Sequence, residues 1–174
     1  LLDRMSADGD MPKIVSTDSA AEYWRGDAAL AHVDTTGNRD LPEHASTRRY
    51  LFAGSQHTPG SVGQSRTNSG TGTIARYPIN VVDYRPLHRA ALINLDRWIN
   101  EGIEPPPSRY PCLSDRSAVT RDQVLATFER IPGITAPNPL RLPFVRTVDL
   151  GSDEATGVAR YPAKEGAFYP ALVS

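Results

Sequence analysis

The chain has 174 residues, of which 39% are hydrophobic and 22% are charged, and its formal net charge is -1. This length and composition are typical of one ordinary globular domain and unlike those of a disordered protein. Lysine and arginine are spread along the chain, which argues against nucleic-acid partners, and no apolar stretch approaches the roughly 20 residues of a membrane span.

After an opening stretch of helical character, "LLDRM", the sequence predicts a strand and a helix. An Ile/Val/Thr run over 12–17 predicts the strand. Asp18 and Ser19 then offer N-cap side chains for a helical pattern over 19–32, which Gly26 interrupts. A turn-rich segment follows this pattern.

A second strand and a long helix come next. The strand is predicted at 48–54, and "GSVGQSRTNSGTGT" at 60–73 has the composition of a flexible loop. A helix is predicted over 83–101, with Asp83 as its cap and Gly102 as its stop. Its predicted apolar face consists of Leu87, Ala91, Leu95, Trp98 and Ile99.

The order of these elements indicates an α/β fold with a parallel sheet. Two strands cannot make such a sheet alone, because a parallel sheet is normally covered on both faces and needs several strands. We therefore expect the chain to be the later part of a larger domain, whose partner is a missing N-terminal part of the same protein. Most prolines follow residue 77. The segment 105–174 is expected to be a Pro-rich, irregular extension that packs on the 1–104 core within the same domain.

His57 lies in a small-residue loop after the second predicted strand. In a Ser-acid-His hydrolase on an α/β sheet, the acid follows one late strand and the histidine follows the next. Here "KIVST" precedes "DSAAEYW" and "RRYLFAG" precedes "SQHTPG", so both positions occur in that order. A carboxylate after the first strand can fix the imidazole tautomer and stabilise the imidazolium. The pattern alone leaves His57 either a catalytic base or an ordinary loop histidine.

Four carboxylates compete for the acid role, namely Asp18, Glu22, Asp27 and Asp34. The first is equally well explained as a helix N-cap, and the last two as solvated residues at a helix end. Glu22 lies next to two aromatic residues that would partly shield it from water, and the pattern leaves it open between an acid and a surface glutamate. The other histidines are expected to be surface or packing residues, and these are His32, His44 and His88.

The sequence contains no recognisable nucleophile. A nucleophile elbow requires G-x-S-x-G between a strand and a helix, and residues 1–174 hold no such motif. The nearest stretch, "GQSRT" at 63–67, lacks the final glycine, so Ser65 is expected to be a loop serine. The single cysteine, Cys112, lies in a Pro-rich loop without a neighbouring histidine and is interpreted as structural.

No cofactor or metal is expected. A metal-assisted hydrolase is the weakest alternative, because its candidate ligands match no compact zinc-binding spacing. Those ligands would be His32, Asp34, His44 and His57.

Four segments, which together span most of the chain, carry a family resemblance. They are "PKIVSTDSAAEYWRGDAALAHVD" at 12–34, "RRYLFAGSQHTPG" at 48–60, "DYRPLHRAALINLDRWINEGIEPPPSRYP" at 83–111 and "IPGI" at 131–134. These segments resemble the C-terminal regions of the large bacterial α/β-hydrolase domain-containing proteins. The "AEYW" and "AG-x-QH-x-PG" runs are the more specific parts of the match.

The resemblance implies the C-terminal portion of an α/β-hydrolase fold, with the nucleophilic serine upstream of residue 1. It implies that His57 of the "QH" run is the triad base and that Glu22 of "AEYW" is the triad acid. The implied reaction is hydrolysis of an ester or related acyl bond in a small-molecule substrate. Residues 1–174 alone are then expected to be inactive.

A different class of function is the alternative. The Pro-rich segment 103–174 could be the binding surface of a non-catalytic interaction domain, because "EPPPSRYP" favours a polyproline-like backbone. The simpler interpretation is a strap that wraps the hydrolase core. Its expected anchors are Tyr110, Phe144, Tyr161 and Tyr169.

Overall fold

The computed structural model describes residues 2–7, 9, 11–70 and 72–174. They form two compact units: unit 1 comprises Leu1–Glu22 with Pro42–Tyr110, and unit 2 comprises Tyr23–Leu41 with Pro111–Ser174. Helices and strands are both present, which confirms the mixed content expected from the sequence. Within the described ranges, no helix is long and apolar enough to cross a membrane.

Unit 1 is built around a parallel pair of strands. Its elements are α1 (Leu2–Ala7), β1 (Ile14–Ser19), the start of α2 (Ala20–Arg25), β2 (Thr47–Phe52), β3 (Thr67–Asn68), β4 (Thr73–Ile74) and α3 (Arg85–Asn100). β1 and β2 pair in parallel, with Ser19 opposite Phe52 at their carboxyl ends. Because parallel strands end at the same edge of a sheet, the segments after β1 and β2 start side by side. The predicted strands at 12–17 and 48–54 are therefore present, each within two residues of its predicted bounds.

The start of the Pro-rich segment lies along the outer edge of β2. Arg109 N donates to Arg49 O, and Leu51 N donates to Arg109 O, both at 2.8 Å. The Tyr50 hydroxyl donates to Pro106 O at 2.7 Å. An edge position suits this segment, because proline has no amide hydrogen to give to a central strand. On its other side, β1 pairs with no strand in the described part of the chain.

α3 buries a narrower face than its apolar pattern predicts. Trp98 is 3% exposed, and the cationic groups of Lys13 and Arg48 lie 4.5 and 4.9 Å from its ring centroid. Leu87 and Ile99, which the predicted face included, are 51% and 59% exposed. The predicted helix is present, but its apolar side is only partly covered, because a two-stranded sheet is too narrow to cover all of it.

The N-cap residue of α3 lies one position later than predicted. Tyr84 is the N-cap residue and its side chain makes no capping bond. Asp83 Oδ1 accepts from Arg85 N at 3.1 Å, so its carboxylate still satisfies a helix amide.

Unit 2 contains more regular structure than predicted. Its elements after the end of α2 are β5 (Val119–Thr120), α4 (Arg121–Phe128), β6 (Arg146–Asp149), β7 (Lys164–Phe168) and β8 (Leu172–Val173). β5 pairs with β8 and β6 with β7, both antiparallel. The sequence analysis did not predict α4, which starts with a capping box between Thr120 and Gln123.

Buried contacts of Arg121 hold unit 2 together. The residue is 4% exposed. Its guanidinium donates to Trp24 O at 2.9 Å and to Pro143 O at 2.6 Å. The same group lies 4.2 Å from the Phe144 ring centroid. Phe144 is 50% exposed and makes this contact within unit 2, and Tyr161 is 98% exposed, so Tyr161 is not an anchor. The predicted division at 104/105 stays a prediction.

The helical pattern over 19–32 forms two short helices instead of one. α2 ends at Arg25, and a 3-10 helix covers Ala28–Ala31. Gly26 between them has a φ of +98°, a value that L side chains rarely adopt, and therefore the chain turns here.

Candidate active site

The carboxylate of Glu22 is fixed by the residue that starts its own helix. Ser19 N donates to Glu22 Oε2 at 2.6 Å, and the Ser19 hydroxyl contacts the same oxygen. The Ser19 hydroxyl oxygen in turn accepts from Ala21 N at 3.2 Å. This is a helix cap of the S-x-x-E kind, in which one carboxylate oxygen is used and the other is left over.

The second carboxylate oxygen of Glu22 contacts the imidazole of His57. Glu22 Oε1 is in hydrogen-bond contact with His57 Nδ1. The two residues are 35 positions apart in sequence and come together because β1 and β2 are parallel neighbours. The structure thus brings together the two residues that the sequence analysis singled out as candidate acid and candidate base.

Glu22 is held in its ionised form. Burial raises its pKa, but hydrogen bonds from the Ser19 hydroxyl, the His57 imidazole and the Ser19 amide lower it by more, so the pKa of Glu22 lies below its usual value. The Glu22 side chain is 15% exposed, while that of His57 is 63% exposed. A shielded carboxylate therefore supports an imidazole that solvent or a substrate can reach.

The backbone around His57 is held from α3 and from the segment before it. The Tyr84 hydroxyl donates to His57 O at 2.6 Å, and Tyr84 is 4% exposed. Burial and the nearby Glu22 carboxylate raise the pKa of Tyr84, which keeps the phenol protonated as a donor. The Asn80 amide group donates to Gly54 O, three residues before His57.

This geometry leaves one imidazole nitrogen for chemistry. With Nδ1 held by a carboxylate, the neutral ring carries its proton on Nδ1 and presents Nε2 as an acceptor. No described residue hydrogen-bonds to His57 Nε2. The arrangement can take a proton from a nucleophile at Nε2 while Glu22 stabilises the resulting imidazolium.

The other candidate acids have other local partners. Asp18 Oδ2 lies 3.9 Å from Arg49 Nη1 on the β1–β2 pair. Asp27 pairs with Arg25 at 2.8 Å. Asp34 accepts from the amide of Asn38 at 2.9 Å, and this hydrogen bond lowers the pKa of Asp34. These contacts give each of the three a structural role.

The remaining histidines also have local partners. His32 is 4% exposed and its Nε2 lies 2.9 Å from the Tyr23 hydroxyl. His44 Nδ1 accepts from Ser46 N at 3.1 Å, and His88 Nε2 lies 3.2 Å from the Thr17 hydroxyl.

Among the described residues, the candidate metal ligands do not form a metal site, and Ser65 is not placed as a nucleophile. In the described part of the chain, no group of three or more His, Cys, Asp or Glu side chains is placed to hold a metal ion. The Ser65 hydroxyl donates to Thr67 O at 2.8 Å within its own turn, as a loop serine does. Cys112 is half-buried in unit 2, and its amide donates to Ser117 Oγ at 2.9 Å.

Sequence reasoning missed two residues that shape this site. Ser19 was weighed only as a helix cap, although the S-x-x-E spacing from Ser19 to Glu22 also signals that the glutamate is oriented by the cap. Tyr84 had no such signal, because its hydrogen bond to His57 O joins residues 27 positions apart.

Comparison with known proteins places the chain in a family. A family model described as "Alpha/beta hydrolase domain" matches residues 3–137, which include the parallel pair, Glu22, His57 and α3. No curated protein and no solved structure matches the chain. The match covers well over half of the chain and confirms the resemblance at the level of the family. The chain belongs to the alpha/beta hydrolase domain family.

Proposed function

We propose that this chain supplies the acid and the base of a serine hydrolase that cleaves an ester or related acyl bond. In this proposal Glu22 orients His57, and His57 activates a serine that lies in another part of the protein. The observation that carries the proposal is the contact between Glu22 Oε1 and His57 Nδ1 at the carboxyl ends of two parallel strands. Membership of a hydrolase family supports the same reaction class.

The proposed proton movements follow from the hydrogen bonds. His57 Nε2 takes the proton of the serine hydroxyl as the serine oxygen bonds to the acyl carbon. Glu22, held ionised by Ser19, stabilises the imidazolium through Nδ1. His57 then gives the proton from Nε2 to the leaving alcohol oxygen, and water repeats the cycle to release the acid.

Two observations support a serine from outside these residues. The chain has no G-x-S-x-G motif, and Ser65, its nearest candidate, is engaged with Thr67. β1 also has one edge without a described partner strand, whereas parallel sheets contain several strands. Further strands beside β1 would bring the nucleophile and oxyanion hole to the edge where Glu22 and His57 meet. Residues 1–174 alone would then be inactive.

The test is turnover of a p-nitrophenyl ester by the complete protein and its His57→Ala variant. Removing a base that acts as a unit with its nucleophile should lower kcat by about 10⁴-fold or more, with the circular dichroism spectrum unchanged. His44→Ala is the matched control, because His44 bonds only within its own turn. Retention of most activity by His57→Ala would remove His57 from the mechanism. Turnover by residues 1–174 alone, abolished by His57→Ala, would refute the external nucleophile.

A further inference from the structure

The loop between His57 and α3 has no role in the proposed mechanism. In residues 60–82, here called the serine-rich loop, the described part (60–70 and 72–82) contains only the two-residue strands β3 and β4 as regular structure. Connections longer than about 12–15 residues without much secondary structure are uncommon in compact domains and are usually functional or disordered. The contacts of the serine-rich loop distinguish between those two possibilities.

The serine-rich loop is folded on itself and closed at its neck. Gly60 N donates to Val82 O at 2.8 Å, which joins the two ends of the loop. A Cβ at Gly60 would lie 2.2 Å from the carbonyl carbon of Val81, so the close approach requires glycine. Inside the neck, Ile79 N donates to Ser65 O at 2.7 Å. These bonds give the loop a defined shape.

The serine-rich loop lines most of a solvent-open cavity whose lining is polar but uncharged. The cavity has a volume of about 360 Å³, within the range of roughly 300–1,000 Å³ typical of small-molecule sites. Its lining residues include no ionisable group. Seven of the eleven carry a hydroxyl or an amide, namely Gln56, Ser61, Ser65, Thr67, Asn68, Ser69 and Asn80.

The cavity shares a wall with the His57 loop. Gln56 and Pro59, on either side of His57 in sequence, both line it. Gln56 Nε2 donates to Asn80 O at 3.1 Å, which ties the His57 loop to the far end of the serine-rich loop. A ligand in the cavity would therefore lie beside the segment that carries His57.

The chemistry of the lining selects a class of ligand. A carboxylate or an ammonium group would lose hydration there and meet no opposite charge among the lining residues. A purely apolar group would cover hydroxyls and amides without satisfying them. Hydroxyl groups of a ligand can both donate to and accept from such side chains, while Pro59, Ile79 and Val81 offer apolar surface to the C–H faces of a ring.

We propose that the cavity of the serine-rich loop binds a neutral, hydroxyl-rich group, a sugar ring or a comparable polyol, of the substrate. This inference rests on the proposed function for the acyl bond that is cleaved. It assigns the serine-rich loop to substrate selection and makes the substrate an ester that carries such a group.

Binding is tested in the complete protein with three ring probes by ¹H–¹⁵N NMR. Methyl β-D-glucopyranoside is the neutral hydroxylated probe, cyclohexanol lacks most of the hydroxyls, and glucuronate adds a negative charge. We expect the glucoside to shift amide signals within residues 60–82 and to bind more tightly than the other two. Loop signals unaffected by the glucoside, or equal or tighter binding of either other probe, would overturn the inference.

A double variant tests the lining directly. Ser61 and Ser69 line the cavity, and neither hydroxyl bonds to a described residue, so Ser61→Ala with Ser69→Ala removes two ligand contacts without removing a contact of the fold. The Kd for the glucoside should rise by about tenfold. The matched control is Ser152→Ala, an exposed serine of unit 2 outside the cavity. An unchanged Kd in the double variant would overturn the assignment.

The two proposals can fail separately. Glucoside binding requires no turnover, so His57→Ala should bind the glucoside with an unchanged Kd. If His57→Ala keeps its esterase activity, the proposed mechanism fails. If the glucoside leaves the loop signals unaffected while His57→Ala loses activity, only the binding inference fails.

Discussion

At the starts of both α2 and α4, a side-chain oxygen accepts hydrogen bonds from the residue three positions earlier. Only at α2 does that side chain have a second oxygen that the cap does not use. At α4, the Gln123 side-chain oxygen accepts from both Thr120 N at 2.9 Å and the Thr120 hydroxyl at 3.1 Å. At α2, Glu22 Oε2 takes the corresponding place with Ser19, and Glu22 Oε1 reaches His57. In unit 2 the capping side chain bonds only within the cap among the described residues, whereas in unit 1 it also bonds to a histidine.

The difference lies in the number of acceptor atoms and in the charge. A glutamine side chain has one oxygen, which the cap consumes, whereas a carboxylate has two oxygens and a negative charge. The Ser19 cap fixes the direction of Glu22, and the second oxygen then holds a partner from the next strand. An ordinary helix cap can therefore become the orienting part of an acid-base pair.

Glu22→Gln would make the α2 cap chemically similar to that of α4. The amide can keep the bond to Ser19, but it is neutral and cannot stabilise the imidazolium. We expect kcat of the complete protein for a p-nitrophenyl ester to fall by about 10³–10⁴-fold, measured in the steady state. Gln123→Glu is the matched control and should leave kcat unchanged. A loss of less than tenfold in Glu22→Gln would separate Glu22 from catalysis.

Ser19→Ala would loosen the carboxylate without removing it. The variant loses the hydroxyl bond to Glu22 Oε2 and keeps the bond from Ser19 N, so we expect kcat to fall by about tenfold. The pKa of Glu22 should rise towards its usual value, which a ¹³C NMR titration of its carboxyl carbon would detect. Ser19→Thr keeps a hydroxyl and should restore both properties.

The same variant has a defined effect on acid stability. Because the pKa of Glu22 is lowered in the folded state, its ionised form stabilises the fold at pH values above its unfolded pKa. That stabilisation is lost as the pH falls through the folded pKa. Ser19→Ala should therefore lose less stability on acidification than the wild type, as measured by urea unfolding at several pH values. An equal loss in both proteins would contradict the orienting role of Ser19.

Thr120→Ala is expected to have the smallest effect on activity. It removes the equivalent hydroxyl at the closed cap of α4, which should lower the free energy of unfolding by about 1 kcal/mol. Because Gln123 has no described partner beyond this cap, kcat should not change. Urea unfolding and the ester assay measure the two quantities. If kcat fell as much in Thr120→Ala as in Ser19→Ala, the effect of Ser19→Ala on kcat would come from lost stability of the fold. Ser19 would then have no orienting role.

Local sequence patterns predicted the two strands that position the site. They also predicted Ser19 as a helix cap. The Ile/Val/Thr run and the "RRYLF" run predicted β1 and β2, and chain order placed Glu22 and His57 after them. The same kind of pattern overestimated α2, because Gly26 takes a positive φ that the apolar stripe does not reveal. It also missed α4, although the T-x-x-Q spacing before that helix was available in the sequence.

The sequence by itself determined the residue types, their order and the S-x-x-E cap, because these depend on neighbours within one helical turn. Its pattern left four carboxylates as possible acids, and the family resemblance implied Glu22. Only the tertiary structure showed which of them contacts His57, because the parallel register of β1 and β2 brings Glu22 Oε1 to His57 Nδ1. The Tyr84 bond to the His57 backbone and the closed neck of the serine-rich loop were likewise decided by contacts between residues more than 20 positions apart. Such contacts depend on how strands and helices pack, and no short stretch of sequence encodes them.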